Sequence, residues 1–200
     1  AHAMGATLAD ELRQAGYEPS GVVVRASPLG RVRETLTIAA DTVWLQGVDS
    51  QSTRLRVAVS DSTNAFYDGI AASDRTGLAI YDLSIENMWN GIEWTNVDNG
   101  VIRRVRVQTC NNNGIIFLSA ATGSDNNVVS DNEVSGIAQN AVVISSSNSN
   151  TLSNNVLFDN LSDGFYLTST SQSNILASNL CRNGQGIGFV LTGSAGGNVL

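Results

Sequence analysis

The chain has 200 residues, of which 42% are hydrophobic and only 14% charged, and its formal net charge is −7. This length suits one domain, and the acidic balance argues against a nucleic-acid partner, because nucleic-acid binders present a basic face. Every basic residue is arginine and the single histidine is His2, which excludes a catalytic lysine, a histidine triad and a histidine metal site from the body of the chain. No apolar run approaches the length of a membrane-spanning helix.

The N-terminal twenty residues predict two short segments. Residues 1–5, Ala-His-Ala-Met-Gly, are typical of a cloning remnant. Residues 6–20 predict a capping helix, because Leu8 and Leu12 lie four residues apart, Thr7 can cap the start and Gly16 can end it. We expect this helix to cover the open edge of whatever β-structure follows.

Short β-like runs then succeed one another. The first are residues 21–24, 35–38 and 42–45, and the last of these is followed by Gln46-Gly47. Residues 54–59 alternate as a strand, with Leu55, Val57 and Val59 on one face. From there the chain predicts continuous β-structure to its last residue.

A repeat of about two dozen residues dominates the rest of the chain. Asn127, Asn150, Asn174 and Asn198 each open an apolar run, and they are spaced 23, 24 and 24 residues apart. A second asparagine column keeps the same step, and so does a column of runs led mostly by glycine, such as Gly164-Phe165-Tyr166-Leu167. Gly77 and Gly100 are aligned with the first asparagine column in earlier repeats. Three short strands per fixed period predict a solenoid.

Stacked coils explain the asparagines. Coils stack about 4.8 Å apart, so an amide at a corner can bond the same amide one coil away. We interpret both asparagine columns as structural ladders. A further ladder is expected directly before the glycine-led strands, at Asp68, Asn90, Asn113, Asn140 and Asp163. Within each strand the alternation directs Phe165 and Leu167 inward and Tyr166 outward.

This pattern of Asn-x-apolar followed by Gly-Ile-x-apolar resembles the right-handed parallel β-helix repeat of the pectin and pectate lyase-like superfamily, including its NosD-like repeat proteins. The resemblance covers residues 52–200 and, more loosely, the N-terminal part. It implies an all-β, single-stranded right-handed parallel β-helix over residues 21–200, with three strands and about 23–24 residues per coil. It specifies the fold rather than the function, because this fold hosts lyases, hydrolases, epimerases and non-enzymes.

The resemblance also implies where a substrate would bind. In the family the groove commonly follows the outward face of the glycine-led strand. The register predicts that outward column, which consists of Ala71, Glu93, Ile116, Val143, Tyr166 and Val190. Glu93 is a candidate catalytic residue, and Tyr166 and Trp89 are candidate sugar-binding residues. The remaining apolar members favour an interface, here a homo-oligomer such as a trimer.

Other carboxylates offer further catalytic or metal sites. Asp74, Asp98 and Asp125 are predicted to occupy equivalent turns of successive coils. Stacked there, they could bind Ca²⁺ or split into acid and base as in glycoside hydrolysis; alternatively each caps its own turn in water. Asp163 and Asp68 precede glycine-led strands, where family enzymes often place an acid, and both also fit the ladder.

The cysteines and arginines have structural interpretations. Cys110 and Cys181 are predicted to lie three coils apart, about 14 Å, which is too far for a disulfide. We therefore predict two free thiols, with Cys181 buried. Arg106 in the cluster Arg103-Arg104-Arg106 is expected to pair with Glu133 one coil further on.

Two main functions from different classes remain, beside a periplasmic repeat protein that serves a metal pathway, whose only support is the acidic turn column. The first is an extracellular carbohydrate-associated protein acting as a polysaccharide lyase, hydrolase or epimerase. The second is a structural or adhesive solenoid, such as a phage tailspike shaft or a surface-protein stalk. Both predict an extracellular, periplasmic or virion location. Because the last coil opens at Asn198 and stops, we also expect a truncated chain or an end covered by a partner.

Overall fold

The computed structural model describes Val23–Val24, residues 35–56, 67–193 and 196–200. The predicted remnant at residues 1–5, the predicted capping helix at 6–20 and residues 57–59 of the predicted alternating strand lie outside the described residues. Everything described is strand, turn or bend, with no helix. Within this part of the chain there is accordingly no helix that could span a membrane.

The strands form three parallel sheets. Sheet 1 contains β1 (Val23–Val24), β3 (Trp44–Gln46), β6 (Ala79–Tyr81), β9 (Val101–Arg103), β12 (Val128–Ser130), β15 (Thr151–Ser153) and β18 (Ile175–Ala177). Sheet 2 contains β4 (Arg54–Arg56), β7 (Ser84–Glu86), β10 (Arg106–Gln108), β13 (Glu133–Ser135), β16 (Val156–Phe158) and β19 (Leu180–Arg182). Sheet 3 contains β2 (Leu36–Ile38), β5 (Ile70–Thr76), β8 (Ile92–Asp98), β11 (Ile115–Leu118), β14 (Val142–Ser145), β17 (Phe165–Thr168) and β20 (Phe189–Leu191).

From β5 onward the chain visits sheet 3, sheet 1 and sheet 2 in turn and then starts again one layer further. Each inner strand pairs with the strand of its own sheet in the coil before and the coil after, and the edge strands pair on one side. From β5 onward, residues that pair in register across a layer are 22 to 27 positions apart. The predicted all-β parallel β-helix with three strands per coil is confirmed.

The inward-facing side chains of the three sheets form one core. Ile92 and Trp94 on β8 are fully buried, and so are Phe165 and Leu167 on β17. Aromatic rings continue from coil to coil, because Trp94 stacks on Phe117 with ring centroids 5.3 Å apart. Parallel strands only two to seven residues long bury little apolar surface in one layer, so stability depends on stacking.

Buried asparagines form the predicted ladders. Asn150 Nδ2 donates to Asn174 Oδ1 at 3.1 Å, and Asn155 Nδ2 donates to Asn179 Oδ1 at 2.9 Å. Each ladder amide also accepts a backbone N–H from the preceding coil, as Asn150 Oδ1 does from Asn127. The ladders satisfy corner N–H groups that would otherwise be buried without a partner.

Left-handed residues mark the corners directly before the first ladder. Asn99, Asn126 and Ser149 have φ values of 55°, 57° and 56°. Gly77 has φ of 69°, and its N–H donates to the Asp98 carbonyl oxygen just as the Asn99 N–H donates to the Asp125 carbonyl oxygen. The alignment of Gly77 with the ladder was therefore wrong by one residue, and Leu78 takes the ladder position.

Both cysteines are free, as predicted. Their burial differs from the prediction, because Cys110 is fully buried whereas Cys181 is only half-buried. Cys181 lies on β19, the edge strand of sheet 2. Burial raises the pKa of the Cys110 thiol to about 12 and that of Cys181 to about 11, so neither is a ready nucleophile.

Candidate active site

Sheet 3 brings two carboxyl groups together on neighbouring coils. Asp68 lies at the corner before β5, and Glu93 lies on β8 one layer away. Glu93 points outward because its neighbours Ile92 and Trp94 point into the core, where both are fully buried. The predicted outward column holds throughout: the register pairs Glu93 with Ala71 and Ile116, and continues through the remaining predicted members.

Asn90 links the two carboxyls. Its backbone N–H donates to Asp68 Oδ1 at 3.2 Å, and its side-chain Nδ2 donates to Glu93 Oε2 at 2.8 Å. Asn90 is itself 3% exposed, whereas Asp68 and Glu93 are half-buried and still reach solvent. The arrangement therefore presents two supported carboxyls at the surface of sheet 3.

Both carboxyls hold their protons more tightly than usual. Burial raises the pKa of Asp68 above its ordinary value. Burial also raises the pKa of Glu93, and the nearby charge of Asp68 raises it further, while the hydrogen bond from Asn90 opposes the change. Two interacting carboxyls of this kind titrate as a pair and can divide into an acid and a base.

Two aromatic residues flank the carboxyls at the same corner. Tyr67 directly precedes Asp68 and is 44% exposed, and Trp89 directly precedes Asn90. The Trp89 backbone N–H donates to the Tyr67 carbonyl at 2.8 Å, so the two residues occupy equivalent places in successive coils. Aromatic faces beside polar groups are suited to contact with the apolar faces of sugar rings.

The outward column of sheet 3 is apolar beyond Glu93. Ile116 and Val143 are only 8% and 7% exposed. The expectation of an exposed apolar stripe is therefore wrong at Ile116 and Val143, because both side chains are buried. Tyr166 is half-buried further along, and its hydroxyl lies 3.5 Å from Thr192 Oγ1. Trp89 lies at the coil of β8 and Tyr166 at that of β17, so the two residues are three coils apart rather than at one subsite.

The predicted acidic turn column is only partly correct. Asp98 and Asp125 do stack, since the Asp125 N–H donates to Asp98 Oδ1 at 2.8 Å. Asp98 pairs with Thr76 in the layer before, however, so the alignment of Asp74 was wrong by two residues. Asp74 instead accepts a hydrogen bond from Asn96 Nδ2 at 2.8 Å.

The carboxylates of this turn act mainly as ladder acceptors. Asp125 Oδ1 accepts the N–H of Asn148, just as Asp98 accepts that of Asp125. Among the described residues there is no group of three or more carboxylate, thiol or imidazole side chains placed to hold a metal ion. The predicted Ca²⁺ site of Asp74, Asp98 and Asp125 is thus not assembled.

Asp163 and the arginine cluster also have structural partners. Asp163 Oδ1 accepts the Ile187 N–H at 2.8 Å, which continues the ladder that contains Asp68 and Asn90. Arg106 Nε lies 2.9 Å from Glu133 Oε1, as predicted. Arg104 makes a bidentate contact with Asp82, and Arg103 pairs with Asp131. None of these groups faces Glu93.

A cavity of about 160 Å³ lies in the later coils, between the turn after β16 and the turn after β19. Its lining includes Asn160, Gly164, Cys181, Arg182 and Gly186. It contains no carboxyl group, and the pKa of its thiol is raised. The cavity therefore offers less chemistry than the open surface around Asp68 and Glu93.

Sequence reasoning named Asp68, Glu93 and Trp89 separately and did not bring them together, and it missed Tyr67 and Asn90 as parts of a site. The alignment of successive repeats contained the information that brings these residues together. Once Asp68 is aligned with Asn90, Tyr67 falls beside Trp89, and Glu93 lies on the strand that follows.

Comparisons with known proteins support the fold. Residues 68–200 match the family model described as the right-handed β-helix region. The mannuronan C-5 epimerase AlgE6 A-module of Azotobacter vinelandii is 17% identical with a TM-score of 0.68, and the match covers 90% of this chain and 51% of that one. The catalytic domain of a GH87 α-1,3-glucanase in complex with nigerose is 18% identical with a TM-score of 0.71, covering 94% and 35%.

A third similar structure is a protein from Parabacteroides merdae assigned as a glycosyl hydrolase candidate, with 14% identity, a TM-score of 0.66 and coverage of 86% and 84%. The chain thus spans about half of the epimerase module and about a third of the glucanase domain. No curated protein matches the sequence. Because the family model matches well over half of the chain, this protein belongs to the right-handed β-helix family.

Proposed function

We propose that this protein is a carbohydrate-active β-helix protein that binds a polysaccharide along sheet 3 and hydrolyses it with Asp68 and Glu93. The observation that carries the proposal is the pair of half-buried carboxyls, joined through Asn90, whose pKa values are both raised. Glycoside hydrolysis needs such a pair, with one carboxyl protonated to donate to the leaving oxygen and the other ionised.

The surroundings of the pair favour sugar binding. Tyr67 and Trp89 offer aromatic surface beside it. The similar structures include a mannuronan epimerase and a glucanase bound to nigerose. This likeness supports a carbohydrate ligand for the present chain.

Hydrolysis fits the site better than β-elimination or epimerisation. Those two reactions remove a proton beside a uronate carboxylate, whose charge must be offset for a carbanion to form. The outward column of sheet 3 contains no arginine among its described members, which run from Ala71 to Val190. Lyase and epimerase activity therefore become alternative outcomes of the same assay.

The test is a polysaccharide screen with neutral glucans and polyuronides. Release of reducing ends reports hydrolysis, absorbance of unsaturated uronates reports elimination, and proton NMR of the polymer reports epimerisation. Glu93→Gln and Asp68→Asn should each reduce turnover at least about 10²-fold. Asp163→Asn, in the same ladder but away from Glu93, is the matched control and should retain activity. Absence of turnover on every polymer, or full activity in Glu93→Gln, would refute the proposal.

A structural or adhesive role is the second candidate, and exposed apolar side chains favour it. Trp44, Ile175 and Val199 are 51%, 44% and 59% exposed, and they follow one outward column of sheet 1. Such a column suits contact with sister chains, as in a trimer. Light scattering after size-exclusion chromatography distinguishes the two candidates, since a stable trimer without turnover supports a shaft or stalk.

We propose an extracellular, periplasmic or virion location on the same grounds, because cell-wall and capsular polysaccharides lie outside the cell membrane. Fractionation of the source cells with an antibody against this chain tests the location, and a purely cytoplasmic signal would contradict it.

A further inference from the structure

Asn90 makes contacts that no other member of its ladder makes. It bonds Asp68 through its backbone and Glu93 through its side chain. The next ladder members, Asn113 and Asn140, are each followed three residues later by an apolar side chain, Ile116 and Val143. A ladder amide is directed at a carboxylate of sheet 3 only where Asn90 and Glu93 meet.

The orientation of the Asn90 amide is fixed by the next coil. Its Oδ1 accepts from the Asn113 backbone N–H at 3.0 Å, from Asn113 Nδ2 at 3.3 Å and from Asn112 Nδ2 at 3.0 Å. A flipped amide would set its NH₂ group against these donors. The Nδ2 group must therefore face Glu93, and Asn90 has no freedom to turn away because it is 97% buried.

We infer that Asn90 is the positioning residue of the site: it holds the Glu93 carboxylate in one orientation beside Asp68 and stabilises its ionised form. The role in catalysis rests on the proposed function, since Asn90 acts only through Glu93 and Asp68. The contact itself does not depend on any substrate.

The consequence is chemical as well as geometric. A hydrogen bond donated to a carboxylate favours the charged form, and the Asn90 bond lowers the pKa of Glu93 against the effects of burial and of Asp68. The Asn90 amide therefore lowers the pH at which Glu93 loses its proton, in opposition to burial and to Asp68. The bond from Asn90 favours Glu93 as the ionised carboxyl of the proposed hydrolysis and leaves Asp68 as the acid, so the ionisation of Glu93 marks the acidic limb of the rate profile.

The experiment is a titration followed by NMR of ¹³C-labelled carboxyl groups. We expect Glu93 to titrate at higher pH in Asn90→Ala than in the wild type. The matched control is Asn155→Ala, which removes an equally buried ladder amide whose bonds go to Val129 and Asn179. The control should lose stability without moving the titration of Glu93.

A second measurement needs no variant and covers the case in which Asn90→Ala does not fold. In the wild type, the side-chain ¹⁵N and ¹H signals of Asn90 should shift with the same midpoint as the Glu93 carboxyl. The inference is wrong if the Asn90 side-chain signals do not change as Glu93 titrates. It is also wrong if Glu93 titrates with the same midpoint in Asn90→Ala and in the wild type.

The titration separates this inference from the proposed function. If Glu93 titrates at higher pH in Asn90→Ala but the wild type turns over no polysaccharide, the positioning contact is supported and the hydrolytic function is refuted. If Asn90→Ala turns over a polysaccharide and the acidic limb of its rate profile lies at the same pH as in the wild type, the inference is wrong and the proposed function stands. Turnover whose acidic limb moves to higher pH supports both.

Discussion

The coils of β5 and β8 and the coils of β14 and β17 follow one architectural plan but differ in the residues they present to solvent. Inside, both pairs are apolar, with Ile92 and Trp94 in the first and Phe165 and Leu167 in the second. Outside, the first pair carries Glu93 next to Asp68, whereas the second carries Val143 and Tyr166. Inward positions are determined by stacking, whereas outward positions such as Glu93, and ladder positions whose side chains reach solvent such as Asp68, can carry chemistry.

The largest test of this difference is truncation on the two faces of β17. Phe165→Ala removes a fully buried ring that stacks on Phe189 with centroids 5.1 Å apart, and should cost about 3–5 kcal/mol of unfolding free energy. The adjacent outward variant Tyr166→Ala should cost much less. Urea denaturation measures both. Equal losses would mean that the inward and outward faces are not energetically distinct.

The next test concerns the glycines before sheet 3. A Cβ at Gly114 would lie 2.4 Å from the Ala141 carbonyl oxygen and 2.6 Å from Val134 Cγ1, so Gly114→Ala should destabilise the fold by about 1–3 kcal/mol. Gly188→Ala is the matched control in the same column, because its nearest neighbour, Cys181 Cβ, is 3.4 Å away. Thermal unfolding should rank the control close to the wild type. A Gly114→Ala protein as stable as the control would contradict this register.

Ion pairs on the outer surface should matter less. Arg104 and Asp82 make a bidentate contact at 2.6 and 2.9 Å, with the Arg104 side chain 48% exposed. A double-mutant cycle with Arg104→Ala and Asp82→Ala should give a coupling of about 0.2–1 kcal/mol that decreases as salt is added. A coupling of several kcal/mol, unchanged by salt, would show that this surface is structural after all.

The smallest expected effect is a pH dependence of stability that arises in the coils carrying Asp68 and Glu93. A carboxyl whose pKa is raised by folding contributes stability that is full below its unfolded value, near 3.8 for Asp68 and 4.5 for Glu93, and is lost as the pH rises through the folded value. Wild-type stability should therefore fall from pH 4 towards pH 7 for this reason, and Glu93→Gln should reduce the fall. The effect is small because both carboxyls are still partly solvated.

Denaturation of Glu93→Gln and wild type at both pH values measures this contribution. The same substitution in an Asp68→Asn background should have less effect, since the charge of Asp68 is one cause of the raised pKa of Glu93. A Glu93→Gln protein that loses as much stability as the wild type between the two pH values would contradict the electrostatic description.

Most of the fold could be predicted because the sequence repeats with a nearly constant period. The spacing of Asn127, Asn150 and Asn174 gives the period, and alternation in Phe165-Tyr166-Leu167 gives the inward face. The errors fall where the repeat is locally irregular. β5 and β8 each extend to seven residues and contain a left-handed residue, Asp74 or Asn96. Aligning Asp74 with Asp98 by residue type therefore placed it two positions from the true partner, Thr76.

The site was harder to predict, because a cluster depends on neighbours in different coils. Asp68 looked like a ladder residue, which it is, and the ladder explanation hid its proximity to Glu93. The bond from Asn90 to Glu93 depends on the orientation of a buried amide that the next coil fixes. Period and composition carry no information about that orientation.

The stacking of one coil on the next also determines how this molecule would respond to a pulling force along the chain. A strand of an inner coil bonds only to the layers directly before and after it, so force applied at an end strips one layer without loosening the rest. Asn150 and Asn174 are 24 residues apart, and a released coil of that size adds about 80 Å of extended chain. A single-molecule trace should therefore show a staircase of similar steps rather than one large rupture.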